Sequence, residues 1–226
     1  MEIDVIILSY VKNDSVLKMN NECIDSINNS TKNHTFKIYL IETNKDRKFE
    51  YSQDNVVVIQ PDEEFNYNRF LNIGLEYCKN EWVLISNNDT IYHENFIDKM
   101  IEANEFDKDL LSMSPIDDSW FRHNEFNRNI KIYYGFRTSY EIAGWSILVK
   151  RSVIDQIGGF DEKFKFWYQD NDYAMTLIQH KIKHALITDS KVTHLLSKSH
   201  HFIESTKKHE MTDGLIHEMI KKWNVA

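Results

Sequence analysis

The sequence predicts an α/β sandwich built on a mainly parallel sheet. Three observations carry this expectation. Ile3–Leu8 is a short, β-branched, nearly all-apolar run; further short apolar runs alternate with helical stretches; and polar residues follow those runs directly. A strand that is apolar at consecutive positions is covered on both faces, the situation of a parallel sheet flanked by helices.

After Ser9-Tyr10 a polar helical stretch spans about 15–29, followed by predicted strands at Phe36–Ile41 and Val56–Ile59. From Tyr67 to Cys78, Phe70, Leu71, Leu75 and Cys78 recur at helical spacing, and Trp82–Ile85 reads as a fourth strand. The next helix carries Phe96, Ile97, Met100 and Ile101 on one face. After residue 110 the pattern is less regular, with strands expected at Ile130–Phe136 and Trp145–Val149, a helix near Asp170–His180 and a strand pair near 184–195. Met211, Leu215, Ile216, Met219, Ile220 and Trp223 form an amphipathic stretch whose polar face mixes acids and lysines, so core packing is expected rather than a membrane surface.

The 226 residues, 42% of them hydrophobic, with 13 Phe, 11 Tyr and 5 Trp, are enough for one packed domain, and no repeat, linker or low-complexity tract divides them. No apolar run approaches the roughly 20 residues that cross a bilayer, and no basic, cleavable leader pattern precedes the first strand. A cytoplasmic location is the expectation. The charge sum of 27 basic against 35 acidic residues, −8, argues against a surface that tracks nucleic acid. Cys23 and Cys78 are too few for a disulfide framework or a four-thiolate zinc site and read as buried thiols.

Ligands of such sheets bind beyond the carboxyl ends of the strands, which here carry Ser9-Tyr10, Glu42-Thr43-Asn44 and Asn87-Asn88-Asp89, all polar and suited to a nucleotide. Asp89 could bind a hard divalent cation that neutralises a diphosphate, or the triplet could simply cap the helix expected near Glu94. Asp170, in Gln169-Asp170-Asn171-Asp172, lies near a helix start and is either a deprotonated base or an N-cap. His194 is either a metal ligand or a satisfied core histidine. His200-His201 with Lys198 is either a solvated loop or a phosphate cover, and Gly74 marks a close approach of ligand or of helix. Gly158-Gly159 and Gly144 mark further places where the backbone needs freedom.

The order of these pieces resembles the family 2 glycosyltransferases over about residues 3–195 and more loosely to Trp223. Val5–Tyr10 is similar to the family's opening strand, with Leu8 where proline is common, and Asn72-Ile73-Gly74 resembles its Asn-x-Gly element. Asn87-Asn88-Asp89-Thr90 resembles its Asp-x-Asp site in the variant beginning with asparagine. Ala143-Gly144, Arg151 and Gly158–Glu162 are similar to the segment leading to the acceptor motif. Gln169–Asp172 resembles that motif, usually Glu-Asp, and His194 falls at the late histidine.

The resemblance implies the GT-A fold, a three-layer α/β/α sandwich with a mixed, mainly parallel central sheet. Residues 1–114 would form the nucleotide-sugar half, 115–200 the acceptor half and 201–226 a C-terminal helix. It implies an inverting transfer of one sugar from a UDP- or dTDP-type donor to an acceptor hydroxyl, either a saccharide or another hydroxyl-bearing molecule. Ser9, Tyr10, Glu42, Asn72, Asn87 and Asn88 would bind the donor. Asp89 and His194 would hold Mn²⁺ or Mg²⁺, and Asp170, with Asp172 as the competing choice, would be the base. Gly144, Trp145, Trp167 and Gln169 would face the acceptor, the two tryptophans offering flat faces to sugar rings.

Asn87 in place of a carboxylate leaves the cation fewer charged ligands until the diphosphate completes its shell. A sugar-nucleotide pyrophosphorylase would need a glycine-rich first loop, which Leu8–Lys12 lacks. The absence of a Gln-x-x-Arg-Trp element and of membrane spans speaks against a processive polysaccharide synthase. Asn87 and Gln169 also fit a binding module without catalysis, and a modified base in DNA is a further acceptor that the acidic balance does not support.

Overall fold

A computed structural model describes residues 1–46, 48–195 and 214–224 of the chain. Nine strands form one mixed sheet among them: β1 (Glu2–Ser9), β2 (Thr35–Glu42), β3 (Val56–Ile59), β4 (Trp82–Asn87), β5 (Thr90–Tyr92), β6 (Leu110–Asp117), β7 (Ile132–Tyr134), β8 (Ser146–Lys150) and β9 (Lys183–His194). Their order is β3-β2-β1-β4-β8-β6-β9-β5, with β7 paired to β9. The strands β1, β2, β3, β4, β6 and β9 run one way, whereas β5, β7 and β8 run the other. The helices are α1 (Asp14–Asn29), α2 (Tyr67–Tyr77), α3 (Phe96–Phe106), α4 (Arg151–Ile157), α5 (Gln169–Gln179) and α6 (Leu215–Trp223), with a 3-10 turn at Phe121–Glu125.

Two apolar layers explain why these elements hold together. On one side Ile3, Val5, Ile7, Ile38 and Leu84 pack with Cys23, Ile24 and Ile27 of α1 and with Phe96, Ile97 and Met100 of α3. On the other, Ile6, Ile41, Val83 and Ile85 meet Phe70, Leu71 and Leu75 of α2 and Tyr173 and Leu177 of α5. The consecutive apolar residues of β1 thus point alternately into both layers, the double coverage that the sequence implied. Asn13 and Asn66 cap α1 and α2, their side-chain oxygens accepting from Val16 N and Arg69 N at 3.1 Å. Gly74 packs α2 onto β1, since a Cβ there would meet Ile6 Cγ2 at 2.8 Å.

The structure departs from the expectations in the second half. The segment 184–195 is one long strand rather than a pair, its register against β6 jumping from Pro115↔Ile187 to Ile116↔Lys191, so residues 188–190 bulge out. β6 and α4 lacked a sequence signal. β6 mixes Ser112, Ser114 and Pro115 into its apolar run, yet both serines are fully buried and bonded, Ser112 Oγ to Tyr173 and His184 and Ser114 Oγ to Ala143 N. The expected strand Ile130–Phe136 shrinks to Ile132–Tyr134, and Trp145 lies just before β8.

In α6, Leu215 and Met219 pack on Phe164, whereas Ile216 and Ile220 are exposed. Cys23 and Cys78 are both buried thiols, and burial pushes them up to about 11 and about 12. No helix among the described residues is long and apolar enough to cross a membrane. Lys198, His200, His201 and Met211 lie outside the described residues.

Candidate active site

Parallel registry assembles the first wall of the site. β1 aligns Ser9 with Glu42 of β2 and Leu8 with Asn87 of β4, so the three polar strand ends lie side by side. Ser9 is buried and its Oγ accepts from Asn20 Nδ2 at 2.7 Å; the same nitrogen reaches Tyr51 Oη at 2.7 Å. Asn88 Nδ2 donates to Asn20 Oδ1 at 2.8 Å, which joins the first and fourth strand ends through one amide. Asn20 and Tyr51 were missed in the sequence. The signal for Asn20 was its place on the buried stripe of α1 with Cys23, Ile24 and Ile27, an amide where an apolar residue belongs. Glu42 is fully buried; its Oε1 accepts from Val11 N and Asn44 N, while Oε2 has no protein partner. Tyr10 is 56% exposed at the rim.

Asn87-Asn88-Asp89 turns the chain between β4 and β5 and does not cap α3, which begins at Phe96 after Asn95 in a left-handed conformation. Asp89 is buried, and its Oδ1 lies 3.2 Å from His194 Nε2. The backbone reinforces the pair: Thr90 registers with His194, Leu195 N donates to Asp89 O at 2.8 Å, and Asp117 Oδ2 accepts from His194 N at 3.2 Å. Among the described residues no group of three or more His, Cys, Asp or Glu side chains forms a metal cage. A carboxylate oxygen and an imidazole nitrogen at this spacing nevertheless fit a divalent ion that takes its other ligands from a diphosphate and water.

Trp145 connects this pair to the base candidate. Its ring stacks on His194 with centroids 5.1 Å apart and planes 10° apart, and its carbonyl accepts from Asn87 N at 2.9 Å. The neighbouring Gly144 lies under Asp170: an added Cβ would coincide with the carboxylate. Asp170 is the second residue of α5, whose cap is Tyr168 at φ 64°, so Asp170 does not serve as the N-cap. Burial raises its carboxyl to about 6. Tyr67 lines the same hollow as Asp170. Burial, then the charges of Asp170 and Asp89, hold its phenol above the usual range.

Three of the expected site residues make other contacts within the protein. Asn72 faces the Gly159-Phe160 loop: its Nδ2 donates to Phe160 O and its Oδ1 accepts from Phe160 N, both at 2.9 Å. Gly159, at φ 86°, is needed there because a Cβ would sit 2.9 Å from Asn72 Oδ1. Asp172 is bound to α6, with Lys222 Nζ at 2.7 Å and Trp223 Nε1 at 2.8 Å from its Oδ1. Trp145 is 8% exposed, and His194 covers one face of its ring. Trp167 is 38% exposed, edge-on to Phe166, and Gln169 lies beside Asp170 in the crevice.

The glycosyl transferase family 2 model matches residues 4–196. No curated protein sequence matches. Among solved structures, the chain is similar to the mannosyltransferase PcManGT from Pyrobaculum calidifontis in complex with GDP-Man and Mn²⁺, with a TM-score of 0.66 and 12% identity, covering 99% of this chain and 64% of that one. It is also similar to GalNAc-T7 with UDP, GalNAc and Mn²⁺, at TM-score 0.66 and 13% identity over 85% of this chain and 42% of that one. The chain therefore spans less than two thirds of either. The sandwich and mixed sheet are those of the GT-A fold, and by its match over most of its length the chain belongs to glycosyl transferase family 2.

Proposed function

We propose that this protein transfers one sugar, with inversion, from a nucleoside diphosphate sugar to an acceptor hydroxyl. The observation that carries the reading is the unbroken run of contacts from Asp170 over Gly144, through Trp145 and His194, to Asp89. It joins the carboxylate read here as the base to a pair suited to metal binding. The neighbours' complexes with GDP-Man, UDP and Mn²⁺ support a nucleotide-sugar donor and a divalent ion.

In this reading Ser9, Tyr10, Glu42, Asn87 and Asn88 form the donor wall. The Asn20 amide fixes Ser9 and Asn88, and Glu42 Oε2 remains to accept from the base of a UDP- or dTDP-type donor. Asp89 and His194 would hold Mn²⁺ in preference to Mg²⁺, because an imidazole ligand favours the softer ion. Bound there, the ion supplies positive charge to the departing diphosphate. Asp170 accepts the proton of the attacking hydroxyl, and its position over Gly144 fixes the direction of attack. Two buried, unpaired thiols suit a reducing compartment, and we assign the protein to the cytoplasm on that ground.

Hydrolysis of a panel of UDP-, dTDP- and GDP-sugars with and without Mn²⁺ tests the reading. Release of diphosphate from one donor, stimulated by the ion, is expected; no donor cleaved under either condition would leave a binding module of the same fold, the role that Asn87 and Gln169 would permit.

A further inference from the structure

Helix α5, which presents Asp170, starts without the usual local support. Its cap, Tyr168, is a non-glycine residue at φ 64° and makes no side-chain cap bond. Contacts from elsewhere must therefore hold the first turn, and α6 supplies several. Lys222 Nζ lies 2.7 Å from Asp172 Oδ1 and 2.8 Å from Asp161 Oδ2, and Trp223 Nε1 donates to the same Asp172 oxygen at 2.8 Å. One ammonium thus pins both ends of the segment 161–172. Its middle is pinned as well: Phe164 is fully buried against Leu215 and Met219 of α6, and Tyr168 packs on that cluster. Asp172 is itself buried, so its pairing is not the solvated kind that contributes little, and a lost partner would leave a buried acid uncompensated.

We infer that Lys222 and Trp223 are positioning residues for the reaction: acting through Asp172, they hold the first turn of α5 so that Asp170 stays over Gly144 and meets the attacking oxygen. The inference rests on the transfer reading above. Residues two apart on a helix do not share a face, so Asp172 reaches α6 while Asp170 projects over Gly144. The turn is thereby held from the side away from the chemistry. If α6 served only to stabilise the fold, loosening it would lower the folded fraction and leave each folded molecule with normal turnover. A positioning role lowers turnover in the folded molecules themselves, and only where there is a base to misplace.

The test uses the full chain with Mn²⁺ and the donor that the hydrolysis panel selects, water taking the place of the acceptor. Lys222→Met, Lys222→Arg and Trp223→Phe are compared with wild type in kcat, donor affinity and the folded fraction from urea unfolding, which normalises each rate. Lys222→Met removes the charge and keeps the length. Its kcat per folded molecule is expected to fall about tenfold, since small displacements of a reacting group are that costly, with donor affinity within about twofold of wild type. Lys222→Arg should recover most of the loss. Trp223→Phe, which keeps the ring and the ammonium, should fall about threefold, and it reads the clamp even if Lys222→Met does not fold. In an Asp170→Asn background the same substitutions should change kcat less than about twofold, because a positioning residue acts only through the group it positions. Wild-type kcat per folded molecule in the weakening variants, or equal losses with and without Asp170→Asn, would overturn the inference and leave the transfer reading standing. Undiminished turnover in Asp170→Asn alone, or no donor cleaved at all, would sink both.

Discussion

The Asp170 carboxylate occupies the space above Gly144 where any other residue would carry its Cβ. The two residues are 26 positions apart, yet no side chain can be added at 144 without moving the carboxylate. Gly144→Ala is expected to push the carboxylate aside and cut transfer about 100-fold, because small misplacements of a reacting group are that costly. Circular dichroism and donor affinity should stay near wild type, which separates displacement from unfolding.

The pH dependence follows from the same burial. With its carboxyl raised to about 6, Asp170 loses its base form as the pH falls through that value, so kcat/KM should drop about tenfold per pH unit below it. The sign for stability is opposite to that of an ordinary salt-bridged carboxylate. The folded state binds this proton more tightly than the unfolded chain, so the cost to stability builds as the pH rises from about 4 and is complete above about 6. Asp170→Asn should therefore be more stable at pH 7, by about 1–2 kcal/mol given the partial solvation of the group. Urea unfolding of both proteins at pH 5 and pH 7.5 measures the difference.

His184 gives the contrary slope. It is fully buried between Ser112 Oγ at 2.8 Å and the Glu141 carbonyl at 2.9 Å, and burial lowers it to about 4. The unfolded chain takes up this proton first, so the contribution is complete above about pH 6.5 and declines as the pH falls toward 4, by up to about 3 kcal/mol. His184→Gln should flatten that decline relative to wild type in denaturant titrations across the same range.

The Asn72–Phe160 exchange is a structural clamp, and its loss should register as stability. Asn72→Ala leaves the Phe160 N–H and carbonyl without their partners and is expected to cost about 2–3 kcal/mol. Asn72→Asp, which keeps one acceptor, should recover part of this. Equal melting temperatures for wild type and Asn72→Ala would contradict the assignment.

Much of the fold is legible in the amino-acid sequence, and the rest is hidden for identifiable reasons. β1, β2 and β4 announced themselves because Ile, Val and Leu at consecutive positions leave only a doubly covered strand. β6 was hidden by Ser112, Ser114 and Pro115, whose polar or donor-less groups are satisfied by residues far away in sequence, Tyr173, His184 and Ala143 among them. The motif at Asn72 and the glycines at 158 and 159 are visible as strings, but only the fold shows that Asn72 binds the residue after Gly159. Composition marks Trp145 as an aromatic without saying that His194 covers its face, and Asp172 as an acid without saying that Lys222 holds it.

Metal dependence should follow the Asp89–His194 pair. Asp89→Asn or His194→Gln is expected to raise the Mn²⁺ concentration for half-maximal transfer about tenfold or more, since each would remove one of the two ligands proposed for the ion. Titration of the ion at saturating donor measures this.

The most direct test compares donor binding by calorimetry with transfer rate for Asp170→Asn in the presence of Mn²⁺. The account predicts donor affinity within about twofold of wild type and a fall in turnover of about 100-fold or more, the usual worth of a positioned base. Turnover equal to wild type would contradict it.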